Sequence, residues 1–321
     1  MLSLETYLLS KALILPSIQS PLGALPARFR RPRVLIVGCG DVGLRVAGLL
    51  KASSRLMALT SSSQRVQTLQ HSGITPMLGD LDKPQTLRRL AGVATHVVHM
   101  APPPLEGYAD PRTRALVLAL RLRSLPSAVV YGSTTGVYGD CSGEWIDETR
   151  RLQPQTARAQ RRVDAQDWIN FLGQSGFPRT QILRIPGIYA IDREGGTPRE
   201  RLLRGTPVLQ AQEDVYTNHI HADDLARATV LAMWRGKPLR PMNICDQANM
   251  KMGDYMDSVA AMWGLAKPQR ISREQANLQL SPMVMSFLNE SRRIQADRMT
   301  QELRLRLKYP TVMDGLQGKT S

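Results

Sequence analysis

From Arg33 onward, short apolar runs alternate with amphipathic stretches. Val34–Val37 is continuously apolar, as a strand buried on both faces requires. A helical pattern follows over 42–52. The alternation then repeats as strand 56–59, helix 64–70 stopped by Gly73, strand 74–78, helix 87–90 and strand 96–100, which Pro102, Pro103 and Pro104 end. Helix 113–122, strand 128–131, helix 157–172 and strand 180–185 complete the series. Strands alternating with helices predict an α/β fold with a doubly wound parallel sheet and right-handed crossovers. After Tyr189 the alternation weakens. Gly195, Gly196 and Pro198 mark a loop, and 199–204, 223–234 and 252–263 read as helices. The expected organisation is a main domain over 33–190 and, over 191–321, a small mixed C-terminal lobe with some segments returning to the core.

Residues 1–32 read differently. Leu8–Leu15 is mildly apolar, and Pro16, Pro21, Pro26 and Pro32 follow at short spacings. Glu5 precedes the apolar stretch, Lys11 interrupts it and no small-residue cleavage site follows, so it lacks the layout of a secretory signal. The expectation is a poorly ordered N-terminal extension or an over-extended start, with a weak organelle signal as the alternative.

Composition narrows the function classes. A chain that is 42% hydrophobic and 21% charged is neither disordered, collagen-like nor a coiled coil. No apolar run reaches the roughly 18–20 residues of a membrane helix, so no membrane partner is expected. Three dispersed cysteines without a CxxC pair point to a reducing, cytoplasmic setting. Five histidines without HExxH predict no metal site. The net charge of +15 attracts anions, but no block of five like charges occurs and only 5% of residues are aromatic. No specific nucleic-acid partner is expected; an acidic small molecule such as a nucleotide suits the charge better.

The first strand runs into Gly38-Cys39-Gly40-Asp41-Val42-Gly43, a G-x-G-x-x-G. Gly38 permits the tight turn, Gly40 lets the backbone approach a pyrophosphate, and Gly43 lets the helix pack on the sheet. Free N–H groups at the helix start, around Asp41 and Val42, favour the anion. Following a strand, opening a helix and sitting in an alternating chain, the motif predicts a Rossmann-type, dinucleotide-binding domain. The second strand ends at Thr60, followed by Ser61-Ser62-Ser63-Gln64-Arg65 rather than the carboxylate that binds an NAD ribose. Thr60, Ser61 and Arg65 therefore favour NADP, with NAD as the alternative, unless Arg65 merely decorates a helix start.

Several further segments resemble one family, the extended short-chain dehydrogenases/reductases, also called the NAD-dependent epimerase/dehydratase family. They are Gly79-Asp80-Leu81, His99-Met100-Ala101-Pro102-Pro103, Tyr131-Gly132-Ser133-Thr134-Thr135-Gly136-Val137-Tyr138-Gly139, Leu183-Arg184-Ile185-Pro186-Gly187-Ile188-Tyr189 and Asn218-His219-Ile220-His221-Ala222-Asp223-Asp224-Leu225-Ala226. The resemblance implies that Asp80 and Leu81 contact adenine, that Met100, Ala101 and Pro102 lie along the cofactor, and that Pro186 and Ile188 lie near the nicotinamide. It further implies an oxidoreductase or epimerase acting on a hydroxyl or carbonyl of a phosphate-bearing or sugar-derived molecule. Tyr189, Arg201 and Arg292 are its candidate substrate residues, and a homodimer is its implied assembly.

One departure matters. The family's Tyr-x-x-x-Lys should fall within 153–162, where there is no tyrosine. Counting back from Ala165-Gln166 puts Arg158 and Arg162 at the two positions, and a second register puts Thr156 and Gln160 there. Arginine stays protonated and cannot shuttle a proton. The candidates for the chemistry are then Ser133 and Thr134, with Tyr138 as a substitute phenol or a wall residue, and Arg158 and Arg162 as positive partners. The alternative is a non-catalytic NADP(H)-binding regulator.

Overall fold

A computed structural model describes residues 31–174 and 178–318, so the expected N-terminal extension lies, but for its last two residues, outside the described residues. Seven strands form one sheet: β1 (Arg33–Val37), β2 (Arg55–Thr60), β3 (Thr75–Leu78), β4 (His96–His99), β5 (Ala128–Thr134), β6 (Arg179–Ile185) and β7 (Arg240–Asn243). Their spatial order is β7-β6-β5-β4-β1-β2-β3, and every neighbouring pair is parallel. The order reverses between β1 and β4, the point where open α/β sheets form a crevice beyond their carboxyl ends.

Alternation along the strands builds two cores. Val34 and Ile36 face helices α1 (Asp41–Leu50) and α5 (Ala222–Arg235) through Val46, Leu50, Leu225 and Met233. Leu35 and Val37 face the other side, where helices α3 (Pro111–Leu120) and α4 (Ala157–Gln174) contribute Leu116, Leu120, Ile169 and Leu172. Helix α2 (Arg65–His71) joins β2 to β3. The stretch expected as a helix near 87–90 is a 3-10 helix over Pro84–Leu90. Between β6 and β7, and beyond β7, a second layer gathers around helix α6 (Met252–Trp263), packing Tyr255, Met256 and Val259 against Val208, Val312 and Leu316. Among the described residues no helix is long and apolar enough to cross a membrane.

Strand β4 carries two buried histidines. Burial, helped by Arg162, pushes His99 down to about 3, and burial, helped by Arg179, pushes His96 down to about 4. Both therefore fold neutral. The unfolded rings titrate near 6.5, so the stability they contribute is whole above that pH and is lost as pH falls towards the folded values. His99 Nε2 lies 2.9 Å from Thr113 Oγ1, a bond an amide can also make. His99→Gln is expected to flatten the fall in urea-unfolding free energy between pH 6.5 and 4 by about 1–3 kcal/mol. An unchanged slope would contradict it.

Candidate functional site

The glycine loop is shaped by backbone contact. Gly38 has φ +83°, and a β-carbon there would lie 2.3 Å from the Ala101 nitrogen. Only glycine lets the turn after β1 meet the Met100–Pro102 loop, where Met100 N–H donates to Val37 O at 2.7 Å. A β-carbon at Gly43 would stand 3.0 Å from Gly38 O, so α1 lies tight on the loop. At Gly40 the opposite holds: nothing comes within 4 Å of where a side chain would begin. The N–H groups of Asp41, Val42 and Gly43 begin α1, where no earlier turn supplies acceptors. This is an open cradle for an anion, and it fits a dinucleotide pyrophosphate. The Asp41 carboxylate is neutralised by Arg45 at 3.2 Å and by Arg193, from the loop after Tyr189, at 2.7 Å.

At the β2 side, Thr60 is buried, its Oγ1 accepting from Ser62 N–H at 3.3 Å, and Ser61 is exposed. Arg65 opens α2 but does not merely decorate it. Its Nη2 donates to Cys39 O at 2.6 Å, so the guanidinium lies against the glycine loop. Asp80 Oδ1 accepts from Asp82 N–H at 3.0 Å, and Leu81 packs on the α3 side of the core. Ala101 is buried and Pro102 exposed; Pro186 and Ile188, beyond β6, are half-buried.

The carboxyl end of β5 differs from expectation. Ser133 is buried and its Oγ accepts from Gln166 Nε2 at 2.7 Å. Gln166 Oε1 accepts from Arg184, whose Nη1 donates to the Tyr138 hydroxyl at 2.8 Å, and that hydroxyl donates to Asn243 Oδ1 at 2.7 Å. Tyr138 is 1% exposed, and burial raises its pKa against the opposing pull of Arg184. Its phenol is enclosed and committed to Arg184 and Asn243. Thr134 remains half-exposed, its Oγ1 accepting from Gly136 N–H at 3.2 Å. Arg162 Nη1 donates to Gly132 O at 2.8 Å and to the Tyr131 hydroxyl at 3.0 Å. The Met100 sulfur packs on the same Gly132. Arg158 is exposed and stacks on Phe287, 4.8 Å from the ring centre.

Two substrate candidates are displaced. Tyr189 is 3% exposed, its hydroxyl donates to Thr311 O at 3.0 Å and its ring packs beside His221, so it belongs to the lobe core. Arg292 is held by Glu290 at 2.8 Å and donates to Gly139 O at 2.7 Å. Arg201 is half-buried beside Met252, and its Nε has no partner among the described residues. Sequence reading missed Arg193, Asn243 and Glu290, which no local motif marks; Gln166 and Arg184 lie in segments it quoted without a role being assigned to them. Among the described residues no group of three His, Cys, Asp or Glu side chains could hold a metal ion.

The sequence matches the TrkA-N domain over residues 34–123. No curated protein matches it significantly. A functionally unknown conserved protein from Silicibacter pomeroyi DSS superposes with a TM-score of 0.72 at 27% identity, over 89% of this chain and 97% of its own. MoeE5, in complex with UDP-glucose and NAD, gives 0.70 at 19% identity, over 89% and 96%. The UDP-glucose 4-epimerase of Thermotoga maritima gives 0.71 at 16%, over 89% and 96%. The chain has the fold of the epimerase/dehydratase structures. In this fold the glycine loop of β1 and the ends of β4, β5 and β6 border one crevice.

Proposed function

We propose that this protein binds NADP(H) across the Gly38–Gly43 loop. On this reading it is an oxidoreductase or epimerase that moves hydride to or from a carbonyl or hydroxyl of a phosphate-bearing or sugar-derived molecule. The observation that carries the reading is the open space at Gly40 with the Arg65 guanidinium bonded to the neighbouring Cys39 carbonyl. Gly40 leaves room for the pyrophosphate, and Arg65 with Ser61 suits a ribose 2′-phosphate. When bound, the nicotinamide supplies hydride chemistry; the protein supplies position and charge. Met100, Ala101, Pro186 and Ile188 would border it, and Arg162, fixed on Gly132, would hold positive charge nearby. The UDP-glucose named with MoeE5 and with the Thermotoga epimerase supports a sugar-nucleotide-like substrate here.

Arg65→Ala tests the cofactor assignment. A charge-assisted bond to phosphate contributes about 1.5–3 kcal/mol, or about 10- to 150-fold in affinity. NADPH fluorescence titration is expected to show tight NADPH and weaker NADH binding in the parent, and near-equal binding in the variant. Equal affinity for both cofactors in the parent would remove the NADP preference.

The enclosed Tyr138 and the missing tyrosine in α4 favour one competing reading, a regulator that binds NADP(H) without turnover. Tight cofactor binding with no NADPH oxidation across a panel of nucleotide sugars, aldehydes and ketones would select it.

A further inference from the structure

Residues 133–139, the end of β5 and the turn after it, contain no carboxylate in the sequence. The fold brings one there from the distant segment after the Pro282–Leu288 helix. A β-carbon on Gly136 would stand 3.7 Å from Thr134 Oγ1 and 3.8 Å from Glu290 Oε2. The missing side chain thus leaves a space with a hydroxyl and a carboxylate on its borders. Thr134 Oγ1 accepts from Gly136 N–H, which leaves its own proton to donate. Glu290 Oε2 is held by Arg292 Nη1 at 2.8 Å, and Arg292 is itself anchored on Gly139 O. The neighbouring backbone is stitched down as well: Ser291 N–H donates to Asp140 Oδ1 at 2.7 Å and Cys141 N–H to Ser291 O at 3.0 Å. The carboxylate is therefore fixed in place, as a proton-transfer group needs to be. Phe287, carrying the stacked Arg158, lies three residues before it, within the Pro282–Leu288 helix.

Resting on the oxidoreductase reading above, we propose that Glu290 is the group that exchanges the proton with the substrate oxygen, while Thr134 donates a hydrogen bond to that same oxygen. In the oxidative direction the substrate O–H proton passes to the Glu290 carboxylate. The adjacent C–H bond breaks, its electron pair leaves as hydride to the oxidised nicotinamide, and the C=O bond forms. In the reductive direction hydride reaches the carbonyl carbon and Glu290 returns the proton to oxygen. Arg292 is a positioning residue that holds the carboxylate.

The test compares the parent, Glu290→Gln and Glu290→Asp. Three readouts are taken: NADPH binding by fluorescence, thermal unfolding, and NADPH oxidation across pH with the nucleotide-sugar, aldehyde and ketone panel. Glu290→Gln keeps the shape and can still accept from Arg292 through its amide oxygen. It is expected to bind NADPH within about twofold of the parent, to unfold within about 2 °C of it, and to lose 100-fold or more of turnover, consistent with the usual worth of a general acid or base. Glu290→Asp is expected to recover part of that turnover, and the pH profile is expected to lose one limb in Glu290→Gln. Undiminished turnover in Glu290→Gln overturns the assignment and leaves the oxidoreductase reading standing. No turnover by the parent with any panel member, cofactor bound, overturns both. Loss of NADPH binding in Glu290→Gln overturns the assignment in favour of a structural role.

Discussion

Gly40→Val is expected to fold like the parent and to lose dinucleotide binding by at least about 100-fold. Gly40 has φ −82° and ψ −152°, an extended conformation open to any residue, and no atom lies within 4 Å of the added β-carbon. Valine is a poor N-cap, but glycine makes no side-chain cap there, so the cost to α1 is about 1 kcal/mol or less. The new branches fill the space over the N–H groups of Asp41, Val42 and Gly43. A pyrophosphate then loses its close approach to the backbone, and with it several charge-assisted bonds. A loss of about 2.7 kcal/mol already corresponds to 100-fold. Circular dichroism melting and NADPH titration read the two halves separately. Parental affinity in the variant would end the cradle assignment. Gly38→Val makes the contrast: at φ +83°, with the Ala101 backbone 2.3 Å away, it damages the fold itself.

Asp224→Ala is expected to give the largest loss of stability. Asp224 is fully buried at the start of α5, where the helix dipole favours a negative charge. Its two oxygens accept from Lys308 N–H and Tyr309 N–H at 2.9 Å and from Arg227 Nη1 at 2.6 Å. The carboxylate thereby fastens the C-terminal segment to the main domain, where Tyr309 stacks on His221. Alanine leaves these donors without their acceptor, and breaking such a buried pair costs about 3–5 kcal/mol. For a chain of this size that lowers Tm by roughly 5–8 °C. Asp224→Asn, which keeps one acceptor, is expected to lose less. A Tm within 1 °C of the parent in Asp224→Ala would contradict the anchoring role.

These two residues also mark how far local reading reaches. Gly40 was legible because its neighbours in sequence are its neighbours in space: strand, turn and helix start are contiguous, and each glycine answers to a backbone need within or beside the loop. The strands β1, β2, β4, β5 and β6 were legible for a similar reason, since two-sided burial leaves apolar runs such as Val34–Val37. Strand β7 was not. Arg240-Pro241-Met242-Asn243 carries neither an apolar run nor alternation, and it becomes a strand by pairing with Gln181–Arg184 at the sheet edge.

The sequence by itself determined a doubly wound sheet with an anion-binding loop after its first strand, because those features follow from periodicity and from glycine's lack of a side chain. It also exposed the absence of a tyrosine where one was expected. Only the tertiary structure decided what stands around that gap. It enclosed Tyr138 between Arg184 and Asn243, turned Tyr189 into the lobe core, and drew Arg65 onto Cys39 and Glu290 beside Thr134. Such pairings join residues far apart along the chain, and side-chain identity alone carries no record of which distant partner packing will bring within reach.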